Sequence, residues 1–215
     1  MPISNNATCL FIEGTTEQKR TFVIGILNTL ATFQKHNVIH QDIKPQNLND
    51  YGRSIDNGTL LFDPSDLECD DYGTPGYHCL FQQFSSESQP FSKKLKESQD
   101  SFAVAATIFE VLTGQKLDSN IVNGNFFQHP DGQKFYKLTP ISNDQFLQKI
   151  DTIRYKINTA PFPFDDLFNQ TLKTLLLNMT GTNDKLPHNN GNNLHGDDVL
   201  NIPAFLGVNC SIFTL

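Results

Sequence analysis

Tryptophan is missing from this 215-residue chain, and cysteine is scarce. Cys9, Cys69, Cys79 and Cys210 stand far apart, with no Cys-x-x-Cys pair and no metal-ligand spacing, so neither a zinc module nor a disulfide framework is expected. Basic clusters are equally sparse. With 16 Lys and Arg against 23 Asp and Glu the formal net charge is -7, which argues against a nucleic-acid partner held by phosphate neutralisation. Lys93, Lys94 and Lys96 are the one local bunch, and they read as a solvated loop or helix start. No run reaches the roughly 18 apolar residues of a membrane-spanning helix. The opening MPISNNATCLF lacks the basic start and continuous apolar stretch of a signal peptide. No membrane span and a cytoplasmic, reducing compartment are the expectations from these absences.

What is present suits a folded domain. Hydrophobic residues make up 38% of the chain and Phe alone numbers 18, enough to build a sizeable core. Between Glu17 and Lys35 the residues Phe22, Val23, Ile26, Leu27, Leu30 and Phe33 recur at spacings of three and four, which predicts a helix with one buried stripe. Leu60-Leu61-Phe62 reads as a brief strand with Asp63 at its tip, and the Asp-, Gly- and Pro-rich stretch that follows as loop. Ser101 to Thr113 is apolar nearly all round and closed by Gly114, so it predicts a helix buried on every side with a Gly cap. Phe164 to Met179 predicts another helix, with Leu167, Phe168, Leu172, Leu175 and Leu176 facing the core. Asp197 to Phe205 predicts a short terminal one interrupted by Pro203. The Phe-rich stretch from 126 to 168 is expected in the core and on the body surface. His129, His188 and His195 have no metal-ligand spacing.

Between the first helix and the strand lies a polar loop, His40-Gln41-Asp42-Ile43-Lys44-Pro45-Gln46-Asn47, in which Pro45 forbids continued helix. It carries a carboxylate, a cation and an amide oxygen within six residues. Phosphoryl transfer needs just these: a base for the acceptor hydroxyl, a positive charge near the phosphate, and oxygen ligands for a divalent ion. The loop resembles the catalytic loop of eukaryotic-type protein kinases, H-R-D-L-K-x-x-N, with Gln41 for Arg and Ile43 for Leu. Gly73-Thr74-Pro75-Gly76-Tyr77 resembles the G-T-x-x-Y segment of that family, and Asp100-Ser101-Phe102 its D-x-W helix opening.

The resemblance implies a mainly α fold with a few short β-strands. It implies the C-lobe of a protein kinase over residues 17–215, an irregular segment over 1–16, and no N-lobe ahead of it. It implies ATP and Mg²⁺ as cofactors, Asp42 and Lys44 as catalytic residues, and Lys44, Asn47 and Asp63 as cofactor-binding residues, with Asn47 and Asp63 on the metal. Thr74 would position the substrate, and His40 and Asp100 would support the loop. Lys44 and Thr74 point to Ser/Thr rather than Tyr acceptors. The partners implied are a protein substrate or partner and, since about 16 residues precede the first helix, a chain or upstream segment completing the N-lobe.

The departures are informative. Gln41 replaces the Arg that receives an activation-loop phosphate, and the loop from Asp63 to Gly73 is short, so control by that phosphate is not expected. Cys79-Leu80-Phe81 stands in place of A-P-E, and no Arg lies near Asp184-Lys185, so one buried ion pair of the family is expected to be deleted whole. Pro64 and Ser65 replace the Phe and Gly of D-F-G, and Asn49 falls where an apolar residue packs under adenine. The expected function is a protein Ser/Thr kinase-type phosphotransferase. A pseudokinase acting as a binding or scaffold module is the alternative, and a small-molecule kinase the second. Delivery into a host cell as an effector is compatible with so reduced a kinase.

Overall fold

The structure, a computed structural model, describes residues 7–62, 73–78, 93–118, 124–128, 134–138 and 142–182; for 93–97, 124–128, 134–138 and 143 it describes the backbone alone. Asp63, Pro64, Ser65, three of the cysteines (Cys69, Cys79, Cys210), His129, His188, His195 and the expected helix at Asp197 to Phe205 lie outside these residues. The described residues are mainly α, as expected, with short strands in two separate hairpin-like pairs.

The expectation of an irregular segment over 1–16 is corrected between residues 7 and 13. A 3-10 turn, Ala7–Cys9, runs into a single α-turn, α1 (Leu10–Glu13). Ala7 and Leu10 are buried, and the Ala7 N–H donates to Leu48 O at 3.1 Å. Apolar burial is what orders the segment, for Leu10 has the core to enter. Thr15 then opens α2 (Thr16–Lys35) with a capping box: its hydroxyl accepts the Gln18 N–H, and Gln18 Oε1 accepts the Thr15 N–H. Phe22, Val23, Ile26, Leu27 and Leu30 are buried along it, while Phe33 is half-buried.

Strand β1 (Val38–Ile39) pairs antiparallel with β2 (Leu61–Phe62), Ile39 opposite Leu61. All that lies between them is thus pinned at both ends. Helix α3 (Lys93–Thr113) begins at Lys93 rather than near Ser101, so Asp100 lies well inside the helix and not at its opening. From Phe102 to Leu112 every residue but Glu110 is buried, and Gly114, at φ 71°, donates its N–H to Glu110 O to end the helix. This helix is the hub, contacted by α1, α2 and the last helix.

Two elements were not expected. An antiparallel hairpin joins β3 (Gly124–Gln128) to β4 (Lys134–Leu138). Helix α4 (Asn143–Thr159) follows, opened by a capping box between Ser142 and Gln145, with Phe146, Ile150, Ile153 and Ile157 buried. Helix α5 (Asp166–Thr180) is capped by Asp165 and ended by Gly181 at φ 68°. Leu172 and Leu176 are buried there, but Leu167, expected in the core, is 75% exposed. It sits in the first turn, where the chain has not yet closed against its neighbours.

Candidate active site

Ile39 is buried in β1, so the chain leaves the strand with His40 and Gln41 facing inward. Gln41 takes φ 70°, a left-handed conformation that a non-glycine residue holds only when its surroundings impose it. The imposing group is Asp100. Its carboxylate, buried on α3, accepts the N–H of His40 at 2.6 Å and of Gln41 at 2.9 Å. From the other side Gln99 Nε2 donates to Gln41 O at 3.2 Å, and Thr59 Oγ1 donates to His40 O at 2.6 Å. Two adjacent peptide units are fixed at donors and acceptors alike, a cost in strain met by charge-assisted hydrogen bonds.

The His40 ring lies 5.8 Å from Phe33 and bonds Ser54 Oγ through Nε2 at 2.8 Å. The Asp42 N–H points at Nδ1 from 3.4 Å, which assigns the proton to Nε2. Ser54 therefore accepts from His40 and turns its own proton to Asn57 Oδ1 at 2.8 Å or Asp56 O. This pairing leaves His40 unable to act as base toward Ser54, and the two do not form a nucleophilic dyad. Burial lowers the His40 pKa and outweighs the opposing field of Asp42, so the ring is neutral at pH 7.

Asp42 is the centre of the site. Its Oδ1 accepts Thr74 Oγ1–H at 2.6 Å, and its Oδ2 accepts Lys44 Nζ at 2.7 Å and Asn47 Nδ2 at 2.9 Å. Lys44 Nζ also donates to Thr74 Oγ1 at 2.7 Å, closing a ring of lysine, hydroxyl and carboxylate. Burial acts to raise the Asp42 pKa, but the bonds from Lys44, Thr74 and Asn47 with the Lys44 charge overcome it and hold the carboxyl below its ordinary value. A carboxylate offers about four acceptor positions, and three are filled here. One remains for an incoming hydroxyl.

Asn47 also donates to Asp42 O at 2.8 Å, so its amide nitrogen is committed and its Oδ1 is the atom left to bind a cation. Among the described residues no group of three or more His, Cys, Asp or Glu is placed to hold a metal. The donors that are present, the Asn47 oxygen and the Asp42 carboxylate, are hard oxygens of the kind Mg²⁺ takes.

The structure thus brings together His40, Asp42, Lys44, Asn47, Thr74 and Asp100 from three separate stretches of chain. Asp63, expected beside Asn47, lies outside the described residues. Asn49 differs in role from its expectation. Its Oδ1 accepts the N–H groups of Tyr51 and Arg53, both at 3.0 Å, so it shapes a turn.

That turn lies backbone-on-backbone against α2: a Cβ on Gly25 would stand 1.8 Å from Tyr51 O, and one on Gly52, at φ 72°, 2.4 Å from Ile26 N. Thr29 Oγ1 bonds Gly52 O at 3.0 Å across the same contact. Gly25 and Thr29 escaped sequence reasoning. The available signal was a glycine within a helix, where it costs about 1 kcal/mol against alanine unless a close contact requires it.

Beyond Thr74, Tyr77 is buried, its hydroxyl donating to Glu110 and accepting from Lys116, whose Nζ also lies 4.2 Å from the ring centroid and 2.9 Å from Glu110. Burial first, and then the Glu110 bond and charge, push the Tyr77 phenol well above its ordinary value. No protein-family model matches the chain, and no curated protein matches it closely enough to count as a relative.

Proposed function

We propose that the chain is the catalytic half of a phosphotransferase of the protein kinase type, moving the terminal phosphoryl group of ATP to a Ser or Thr hydroxyl of a protein. The single observation that carries this reading is the closed ring of Asp42, Lys44 and Thr74 with Asn47 bound to the same carboxylate. A carboxylate held ionised, with one acceptor position open, suits a base that orients a hydroxyl and takes its proton. Lys44, with three N–H donors and two in use, keeps one for a phosphate oxygen.

Asn47 through Oδ1, and Asp63 by its place after the strand, would hold Mg²⁺, which supplies charge neutralisation at the transferring phosphate. Groups that cover the nucleotide would be supplied by another chain or an upstream segment. A binding module that only holds nucleotide or a partner is the second reading. The commitment of the Asn49 side chain to a turn, where the resemblance implies an apolar contact with adenine, supports it.

Thermal unfolding with millimolar ATP and Mg²⁺ tests nucleotide binding, and phosphoryl transfer separates the two readings. An enzyme gives a rise in Tm that is lost in Asn47→Ala and Asp63→Ala. Transfer of labelled phosphate to a basic protein substrate falls by about 10² or more in Asp42→Ala. No rise in Tm and no transfer would leave the lone chain without this activity.

A further inference from the structure

We propose that Lys149, on α4, is a positioning residue for the candidate active site, acting through a buried ion pair that fixes the segment carrying Thr74. Lys149 Nζ meets Asp118 Oδ2 at 2.8 Å, and the two side chains are 8% and 4% exposed. Lys156, two helical turns on, donates to the carbonyls of Lys116 and Leu117, both at 2.9 Å. Helix α4 therefore grips the stretch from Lys116 to Asp118 at a carboxylate and two carbonyls.

That stretch is the bed on which the substrate-positioning segment lies. A Cβ on Gly76 would stand 3.4 Å from Asp118 O, and Lys116 bonds the Tyr77 hydroxyl and covers its ring. Tyr77 N–H in turn donates to Thr74 O at 3.0 Å, and Thr74 is the donor to Asp42. The series from Lys149 to Asp42 runs through the Asp118 ion pair, the chain from Asp118 back to Lys116, and hydrogen bonds from Lys116 to Tyr77, from Tyr77 to Thr74 and from Thr74 to Asp42. An ion pair with both partners buried is a poor source of stability, since apolar residues of similar volume do as well. What it offers instead is direction, because a charge-assisted hydrogen bond is satisfied in one geometry and an apolar contact in many. The purpose of this positioning rests on the phosphotransferase reading, but its existence does not.

The test is the pair of variants Lys149→Met with Asp118→Leu, made together so that no buried charge is stranded, and Lys149→Arg, which keeps the pair. Hydrogen exchange is read at the Tyr77 amide and, as a reference in the core of α2, at the Leu27 amide. The midpoint of the Asp42 carboxyl titration is read by carbon NMR. In the double variant, Tyr77 protection falls by about tenfold or more relative to Leu27, and the Asp42 midpoint rises as the Thr74 bond loosens. Lys149→Arg keeps both near wild type.

Unchanged Tyr77 protection and Asp42 midpoint in the double variant would overturn the proposal. So would equal losses at Tyr77 and Leu27, which report general destabilisation. Neither measurement depends on nucleotide, so a failure of the phosphotransferase reading in the Mg²⁺–ATP experiment is seen separately.

Discussion

Residue by residue, the site is organised around keeping one carboxylate charged and one imidazole neutral. Thr74 is the test of the first. Its hydroxyl donates a hydrogen bond to Asp42 and accepts one from Lys44, so valine of the same shape removes both bonds while serine keeps them. Thr74→Val is expected to cost about 1–3 kcal/mol and to raise the Asp42 titration midpoint in carbon NMR, whereas Thr74→Ser moves that midpoint little.

His40 tests the second. Its folded-state pKa is lowered, so the unfolded chain takes up the proton first as pH falls. Stability is then full above the unfolded value of about 6.5 and declines as pH drops from there toward the folded value. Asp42, also lowered, has the same sign but acts below about pH 4, in a separate window. Denaturant midpoints measured from pH 7 to pH 5 should fall less steeply in His40→Asn than in wild type. An equal slope would remove His40 as the cause.

At the level of elements, the Gly25–Gly52 crossing explains why the turn after Asn47 lies so close to α2. Ala at Gly25 is expected to destabilise by about 1–3 kcal/mol, because Tyr51 O must move to admit the Cβ. Thr29→Val, which loses the hydroxyl's bonds to Gly52 O and Gly25 O but brings no clash with the turn, should cost less, and chemical denaturation ranks the two. This contact also marks the limit of what the sequence discloses. Stripes at spacings of three and four made α2 and α5 legible, since apolar residues repeating at helical period have few alternatives to a core, and an all-round apolar run closed by Gly114 did the same for α3 from Ser101 onward.

Helix α4 was equally legible in principle. The pattern Ser142-x-x-Gln145 ahead of Phe146, Ile150, Ile153 and Ile157 is a capping box before a buried stripe, and it was obscured by reading the Phe-rich stretch as one unit. The loop residues His40, Asp42, Lys44 and Asn47 were readable because their spacing is local. Thr74 and Asp100 were readable through the resemblance, although no local rule places Thr74 against Asp42, 32 positions away, or Asp100 against His40 and Gln41, 60 and 59 positions away. Gly25 against Tyr51, and Lys149 against Asp118, join residues with no sequence register between them. Only the packed chain reveals such pairs.

Among the described residues, the buried apolar residues from Ala7 to Met179, Ile39 apart, form a single cluster around α3. The ends of that cluster are tied across its surface as well. Arg20 of α2 reaches Asp165 at 2.8 Å and lies 4.7 Å from the Phe168 ring, joining the second helix to the cap of the last. The segment from Ala7 to Glu13 belongs to this body, since Leu10 is 5% exposed. Leu10→Ala should then cost about 2–5 kcal/mol, the range for a buried leucine whose neighbours cannot collapse into the space.

The form of the loss matters more than its size. Were 7–13 an appendage, its removal from the core would leave the main transition where it is. In one cooperative body, far-UV circular dichroism, which reads all the helices, and tyrosine fluorescence, which reads Tyr77 among others, shift together to the same lower midpoint. Two midpoints that separate in Leu10→Ala would show instead that the opening segment melts on its own. The site around Asp42 would then be supported from α2 and α3 without the opening segment, and the Ala7–Leu48 bond at its edge would be the first to open.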